Sequence, residues 1–397
     1  MINRREFVVG ATALGTLSNP GMTARSYAAI VGANDRVSLG VIGLGRRGLI
    51  VSNGFVQDPR VRIVALCDIY GAASTGYQAR MKGHLAQPGI YVRHQELLAS
   101  KDVDAVYIAT PDHLHVMVAS DALAAGKHVY LEKPTVHRWQ DRLKLKRAFD
   151  NSGRILQCGT QQRSGAHYAT AKQEFFNSGK LGKVVLVRAV WHNFPWQRRT
   201  LTDELKPPDL SWDLFLGPAP KVPWEYARYT SWRSFPDYGG GVLADILTHW
   251  VDTAQWMLSD AKPLRAAALG GLYDLHGYFQ NPDTCSAVVQ YKDWNLNFES
   301  SVLSIRDAHP AVFFEGTEGT LNLTRAGYTF TPNEGEPVVF NSKQDLEAAH
   351  AANFLDAIIT GRAVSAPLAA GLEATLPVQI CLKSYWSHKT ATPEDLS

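Results

Sequence analysis

With 397 residues, 45% of them hydrophobic and 19% charged, the chain has material for two domains with large cores and no sign of disorder. A net charge of +3 carried by scattered Lys and Arg argues against nucleic acid or an anionic membrane surface as the partner. Four dispersed cysteines (Cys67, Cys158, Cys285, Cys381) form no C-x-x-C and read as packing residues, and no cluster of His, Asp and Glu has metal-ligand spacing.

In chain order, the first feature is an address. Arg4-Arg5-Glu6-Phe7 precedes an apolar run to about Leu17, then Ser18-Asn19-Pro20-Gly21 and a small-residue region around Ser26-Tyr27-Ala28-Ala29. This is the layout of a signal peptide with a twin-arginine n-region, with an apolar run too short to anchor in a bilayer. Residues 1–33 are therefore expected to be signal and linker, for periplasmic or other export.

From Val37 to about Gly159, short apolar runs alternate with amphipathic stretches, the pattern of a doubly wound parallel α/β sheet. Strands are predicted at Val37 to Ile42, Val61 to Cys67, Val103 to Ala109, His128 to Leu131 and Ile155 to Cys158. The first runs into Gly43-Leu44-Gly45-Arg46-Arg47-Gly48, a G-x-G-x-x-G loop, and the second ends in Asp68, 20 residues after Gly48. Gly43 suits a tight strand-to-helix turn, Gly45 a close approach of backbone to pyrophosphate, and Gly48 close helix–strand packing. Asp68 would accept hydrogen bonds from an adenosine ribose and repel a 2′-phosphate, which favours NAD over NADP. In such a sheet the ligand lies beyond the carboxyl ends of the strands, where Asp68, Thr110, Pro111, Asp112, His113, Glu132 and Lys133 fall.

After about Gly182 the texture changes to strand-like runs joined by short turns (184–191, 264–272, 287–291, 295–303, 311–315 and 320–323), which predicts a mostly antiparallel sheet. A helix from Gly241 to Met257 interrupts them, and helical segments at 345–360 and 371–387 are expected to pack back on the first domain. The domains expected are 34–160 for the dinucleotide and 161–397 for substrate and oligomerisation. Between the strands of the second domain an aromatic-rich loop, Trp191 to Tyr238, holds five tryptophans, including Trp196. Flat aromatic faces suit the C–H edges of sugar rings, which makes Trp196 and Tyr238 candidates for substrate binding, while a lid or an oligomer arm fits the composition equally.

Two local signals converge with the glycine loop. Glu132-Lys133-Pro134 closes a predicted strand, and Asp245-x-x-x-His249-x-x-Asp252 lies on the predicted helix after Gly239-Gly240-Gly241, with Asp245 and His249 on one face and Asp252, three residues further, expected to join them. A carboxylate beside an imidazole can orient it and hold its protonated form, as general base catalysis requires.

With these motifs in place, the sequence resembles the Gfo/Idh/MocA family of oxidoreductases over essentially the whole mature chain. The residues carrying the likeness are Val41 to Gly48, Cys67-Asp68, Ala109-Thr110-Pro111-Asp112-His113-Leu114-His115, Glu132-Lys133-Pro134, Gly159-Thr160-Gln161-Gln162-Arg163-Ser164, and Gly240 to Asp245 with His249. The resemblance implies a Rossmann domain, a C-terminal α/β domain with a large open sheet often used for homo-oligomerisation, and a nicotinamide site between them. It implies catalytic roles for Lys133, Asp245 and His249. It further implies cofactor contacts at Arg46, Arg47, Thr110, Pro111, His115, Glu132 and Gln161, and a substrate contact at Arg163.

On these residues His249 would take the proton of a sugar or cyclitol hydroxyl while hydride passes to the nicotinamide, and Lys133 would stabilise the oxygen. Export would favour a tightly held cofactor and redox-neutral turnover. Exported members with a Gly-x-Gly-x-Arg-Gly loop include α-N-acetylgalactosaminidase-like, NAD-dependent glycosidases, so that activity is the alternative. A non-catalytic sensor on the same fold is a third reading.

Overall fold

Residues 36–192, 204–277, 279–303 and 310–397 are described by a computed structural model. Six strands form a parallel sheet in the order β3-β2-β1-β4-β5-β6: β1 (Val37–Ile42), β2 (Val61–Cys67), β3 (Leu85–Tyr91), β4 (Ala105–Ile108), β5 (His128–Leu131) and β6 (Leu156–Cys158). β1, β4 and β5 are nearly continuous runs of Val, Ile, Leu, Ala and Tyr because helices cover both faces, leaving no solvent-facing row to be polar. The helices that follow β1, β2 and β4 are α1 (Arg46–Phe55), α2 (Gly71–Arg80) and, after the short α3 (His94–Ala99), α4 (His115–Ala124). Strand order reverses between β1 and β4, which opens a crevice at their carboxyl ends.

The sequence reading missed β3. Its Pro88-Gly89 pair reads as a turn, and it is tolerated because β3 lies at the sheet edge, where an absent amide costs no ladder bond on the open side.

The second sheet has eight strands in the order β14-β13-β12-β11-β7-β10-β9-β8. These are β7 (Val184–Val190), β8 (Arg265–Gly271), β9 (Thr284–Gln290), β10 (Asn295–Ser301), β11 (Ala311–Gly316), β12 (Gly319–Thr324), β13 (Gly327–Pro332) and β14 (Val338–Asn341). Its neighbours pair antiparallel except β7 with β10, as the short turns predict. β13 and β14 extend it beyond the expected strands. Along β9 and β10 Cys285, Ala287, Val289, Leu296 and Phe298 point into the core, while Val288 on the opposite face is exposed, as are Val185 and Leu269 on that sheet.

The helix expected from Gly241 to Met257 begins with a π-turn, Leu243–Leu247, and continues as α5 (Thr248–Leu258). Two further helices, α6 (Leu346–Thr360) and α7 (Leu368–Ser387), divide their loyalties. α6 packs on the first sheet: Ala351, Phe354 and Leu355 join Phe55, Tyr107 and Tyr130 in one core. α7 touches both layers. Its Gly371 lies so close to Cys158 of β6 that a Cβ would sit 2.3 Å from the sulfur, while Ile380 and Cys381 belong to the core under the second sheet. Residues Val37–Ser397 accordingly form one compact unit.

Phe354 is fully buried, with ring centroids 6.2 Å from Phe55 and 5.8 Å from Tyr130. Phe354→Ala should lower unfolding stability by about 3–5 kcal/mol in urea titrations. A loss under about 1 kcal/mol would show that α6 is not part of that core.

Candidate active site

The three glycines of the loop differ in what surrounds them. Gly43 has φ +92, and a Cβ there would lie 2.6 Å from the carbonyl oxygen of Ala109. A Cβ on Gly48 would meet the Gly43 oxygen at 2.2 Å, so helix and loop touch through bare backbone. Gly45 is open, with nothing within 4 Å of the Cβ position, as a backbone approached by a ligand must be. Arg46 is exposed at the start of α1, on the rim of a groove of about 580 Å³ shared with Leu44, Leu49, Ala72, Ala73, Tyr77 and Arg80. Asp68, at the end of β2, accepts the amides of Leu44 (2.8 Å) and Tyr70 (3.0 Å). Burial pushes its carboxyl up to about 6, against the pull of those amides. Beyond the end of β4 the Thr110 hydroxyl is buried without a hydrogen-bond partner among the described residues. An open glycine backbone, a helix amino terminus and an unspent hydroxyl are features that a dinucleotide would use.

Several residues expected at the cofactor lie beneath the crevice. Arg47 points inward: its Nε donates to Glu132 Oε1 at 2.7 Å and its Nη1 to Glu347 Oε1 at 3.2 Å, and Glu347 in turn holds Arg325 at 2.7 Å. Glu132 also accepts the Tyr107 hydroxyl at 3.3 Å. Gln161 is buried and donates to the Tyr130 hydroxyl at 3.0 Å. His115, also buried, spans two carbonyls, with Nδ1 2.8 Å from Pro134 O and Nε2 3.0 Å from Thr110 O. It clamps the turn after β4 to the segment after β5.

Lys133 stands just beyond the end of β5, and its side chain reaches the helix under the second sheet. Its Nζ donates to Asp245 Oδ1 at 2.6 Å and to the Asp245 backbone oxygen at 2.7 Å. That backbone oxygen lies within the π-turn, Leu243–Leu247. Arg233, which sequence reading overlooked, lies with its Nε 3.3 Å from the same Oδ1. Burial opposes ionisation of Asp245, but Arg233 and Lys133 together hold it below the usual carboxylate range.

His249 is buried against Trp191, ring centroids 6.3 Å apart. No hydrogen bond ties either ring nitrogen to the described residues, and Nδ1 is fully enclosed. Asp245 therefore serves Lys133 rather than orienting the imidazole by a hydrogen bond. Burial, then the charge of Lys133, pushes His249 well below the ordinary histidine value, so the ring is neutral. Asp112, which the sequence placed beyond the end of β4 but gave no role, is buried, and its carboxyl is lifted by burial to about 7 against the attraction of Arg233 and Lys133.

Other expected residues take different places. Tyr238 is buried among His113, Phe215 and Phe235, which removes it from any surface a sugar could touch. Arg163 is spent on Asp252, Nε to Oδ1 at 2.8 Å, a pair closed off inside the protein rather than offered to substrate. Asp252 does not join the Asp245 and His249 face. Trp196 lies outside the described residues. Among the described residues no group of His, Cys, Asp and Glu is arranged to hold a metal ion.

Residues 37–160 match the model of the oxidoreductase family with an NAD-binding Rossmann fold, and residues 217–322 match the GFO/IDH/MocA C-terminal domain. The chain belongs to the Gfo/Idh/MocA family. Among its relatives are a 1,5-anhydro-D-fructose reductase of Ensifer adhaerens, 28% identical over 57% of this chain and 59% of that one. A glycosyl hydrolase family 109 protein of Streptomyces niveus is 38% identical over 28% of this chain and 23% of its own. The chain thus spans under two thirds of the length of these curated relatives. In fold it is similar to an aldose-aldose oxidoreductase from Caulobacter crescentus crystallised with glycerol, with a TM-score of 0.72, 19% identity, and coverage of 90% of this chain and 99% of that one.

The glycines lend themselves to a paired test. Gly48→Ala should cost about 1–3 kcal/mol of unfolding stability through overpacking, whereas Gly45→Ala should leave the melting temperature unchanged and weaken dinucleotide binding in a fluorescence titration. A second expectation concerns acid. His249 and the buried His113 and His350 are held below the ordinary value, the last two at about 4, and they charge only in the unfolded chain as pH falls through 6.5. Asp112, Asp68 and Asp252, raised in the fold, oppose this in the same range, but His115 and His137 are lowered as well, so the imidazoles outnumber the carboxylates. Stability should therefore fall as pH drops from 7 towards 5, measured by thermal melts; a rise over that interval would contradict the burial of these rings.

Proposed function

We propose that this protein is a nicotinamide-dependent oxidoreductase acting on a CH–OH group of a sugar, glycoside or cyclitol, with NAD as the cofactor. The observation that carries the reading is the junction of Lys133, from the end of a Rossmann strand, with Asp245 on a helix that also bears a neutral His249 with no hydrogen bond among the described residues. Around it, the 43–48 loop and the amino end of α1 would hold a pyrophosphate, Asp68 a ribose, and Thr110 and Pro111 the nicotinamide end. A bound nicotinamide would supply the hydride acceptor or donor.

The remaining chemistry falls to the chain. Lys133, held in place by Asp245, donates to the substrate oxygen and stabilises the negative charge that grows on it as its proton leaves. His249 accepts that proton, being neutral and uncommitted. Asp245 fixes the lysine through two acceptors, so the ammonium meets the oxygen without reorganising.

The family 109 relative supports a second reading, a redox-neutral glycoside hydrolase in which the same Lys and His serve transient oxidation of a ring hydroxyl, elimination, hydration and re-reduction. Residues 1–33, outside the described set, support export by the twin-arginine route, and the open, partly apolar face of the eight-stranded sheet supports a homo-oligomer.

Lys133→Ala should reduce turnover by about 10²–10³-fold or more while NAD remains bound, measured by initial rates and by mass analysis of nucleotide released on denaturation. Full activity in that variant removes the lysine from the mechanism. Incubation with aryl glycosides and free sugars separates the two activities: ketone formation marks the oxidoreductase, and aglycone release without net NADH marks the glycosidase.

A further inference from the structure

Arg233 is a charged group in the site with unspent donors. Its side chain makes no hydrogen bond to the described residues: Nε lies 3.3 Å from Asp245 Oδ1 as an ion pair but is buried without a hydrogen-bond partner, and both outer nitrogens are uncommitted. About a third of the side chain is exposed, 32%. The guanidinium is nevertheless fixed in place. Its Cζ lies 4.1 Å from the centroid of the Trp232 ring, and the Arg233 backbone oxygen accepts Asn281 Nδ2 at 2.7 Å. The same amide holds Gly239 O at 2.8 Å, so one buried side chain ties the arginine to the glycine turn that leads into Asp245.

An arginine held by stacking and backbone anchoring, with its two outer nitrogens open, matches a planar or tetrahedral oxyanion better than a lone hydroxyl. The local charge agrees. Lys133 and Arg233 converge on the single carboxylate of Asp245, and the neighbouring Asp112, lifted to about 7 by burial, is partly protonated at neutral pH. The site therefore holds surplus positive charge within reach of the reacting oxygen.

We infer that Arg233 is a specificity-determining residue that receives an oxyanion on the substrate, so that the preferred substrate is an acidic sugar, carrying a carboxylate or a phosphate ester, rather than a neutral one. This rests on the oxidoreductase reading for the location of the site, but it makes a separate claim about binding. The arginine takes no part in hydride or proton transfer; it sets which sugar is held against Lys133 and in what orientation.

The test uses the NAD-loaded protein and measures binding by calorimetry and turnover by NADH absorbance, with glucuronate, galacturonate, glucose 6-phosphate, glucose, galactose and myo-inositol. Acidic sugars should bind at least about tenfold more tightly than their neutral counterparts. Arg233→Met should erase that preference while leaving NAD affinity and the melting temperature near wild type, and Arg233→Lys should restore part of it. The two acidic arms tell carboxylate from phosphate. Equal or tighter binding of the neutral sugars, or a preference that survives in Arg233→Met, overturns the inference even if oxidation of a neutral sugar upholds the dehydrogenase. Tight binding of an acidic sugar with no NADH formed leaves the inference standing and removes the dehydrogenase reading instead.

Discussion

The contact on which the arrangement depends is a buried ammonium shared between two layers of the protein. Lys133 ends a strand of one sheet, and the oxygens that neutralise and solvate it belong to Asp245 on the helix beneath the other. Neither charge could sit there alone, because a buried ion without a partner costs several kcal/mol. The two layers are therefore held in one relative position by electrostatics as well as by packing, and the cleft between them acquires a cation that cannot drift.

The same logic repeats one layer deeper. Glu132, Arg47, Glu347 and Arg325 alternate in sign from the end of β5, through the amino end of α1, to the start of α6 and the turn after β12. Each charge is met by its neighbour, so a set of ions with little access to solvent is stable only when all four elements are in place. Glu132 precedes Lys133 directly, and its side chain is held from below by Arg47 and Tyr107. The lysine thus rises from a rigid floor, which is what a group that must meet a developing charge without moving requires.

Much of this was legible because it is local. A glycine with φ +92, a glycine against bare backbone and a glycine facing open space are demands of neighbouring atoms, and the spacing of Gly43, Gly45 and Gly48 already expresses them. What escaped was what depends on the rest of the fold. Pro88-Gly89 reads as a turn unless one knows that β3 is an edge. The π-turn at 243–247 leaves no mark in composition, since one extra residue per turn changes phase without changing residue types. Tyr238 looked like a surface aromatic, yet Phe215 and His113 enclose it. Arg47 stands in the glycine loop but turns its back on it, because two carboxylates distant in sequence wait underneath. Arg233 gave no signal at all, its partner lying 12 residues on, across a glycine turn.

The placement of α6 bears on how the chain is made. Phe354 and Leu355 close a core whose other walls, Phe55, Tyr107 and Tyr130, belong to the first 131 residues. On the ribosome, the amino-terminal sheet emerges long before that lid does. A nascent chain halted ahead of residue 346 would still present those aromatic rings to water, so the first part of the protein to be synthesised is among the last to be sealed.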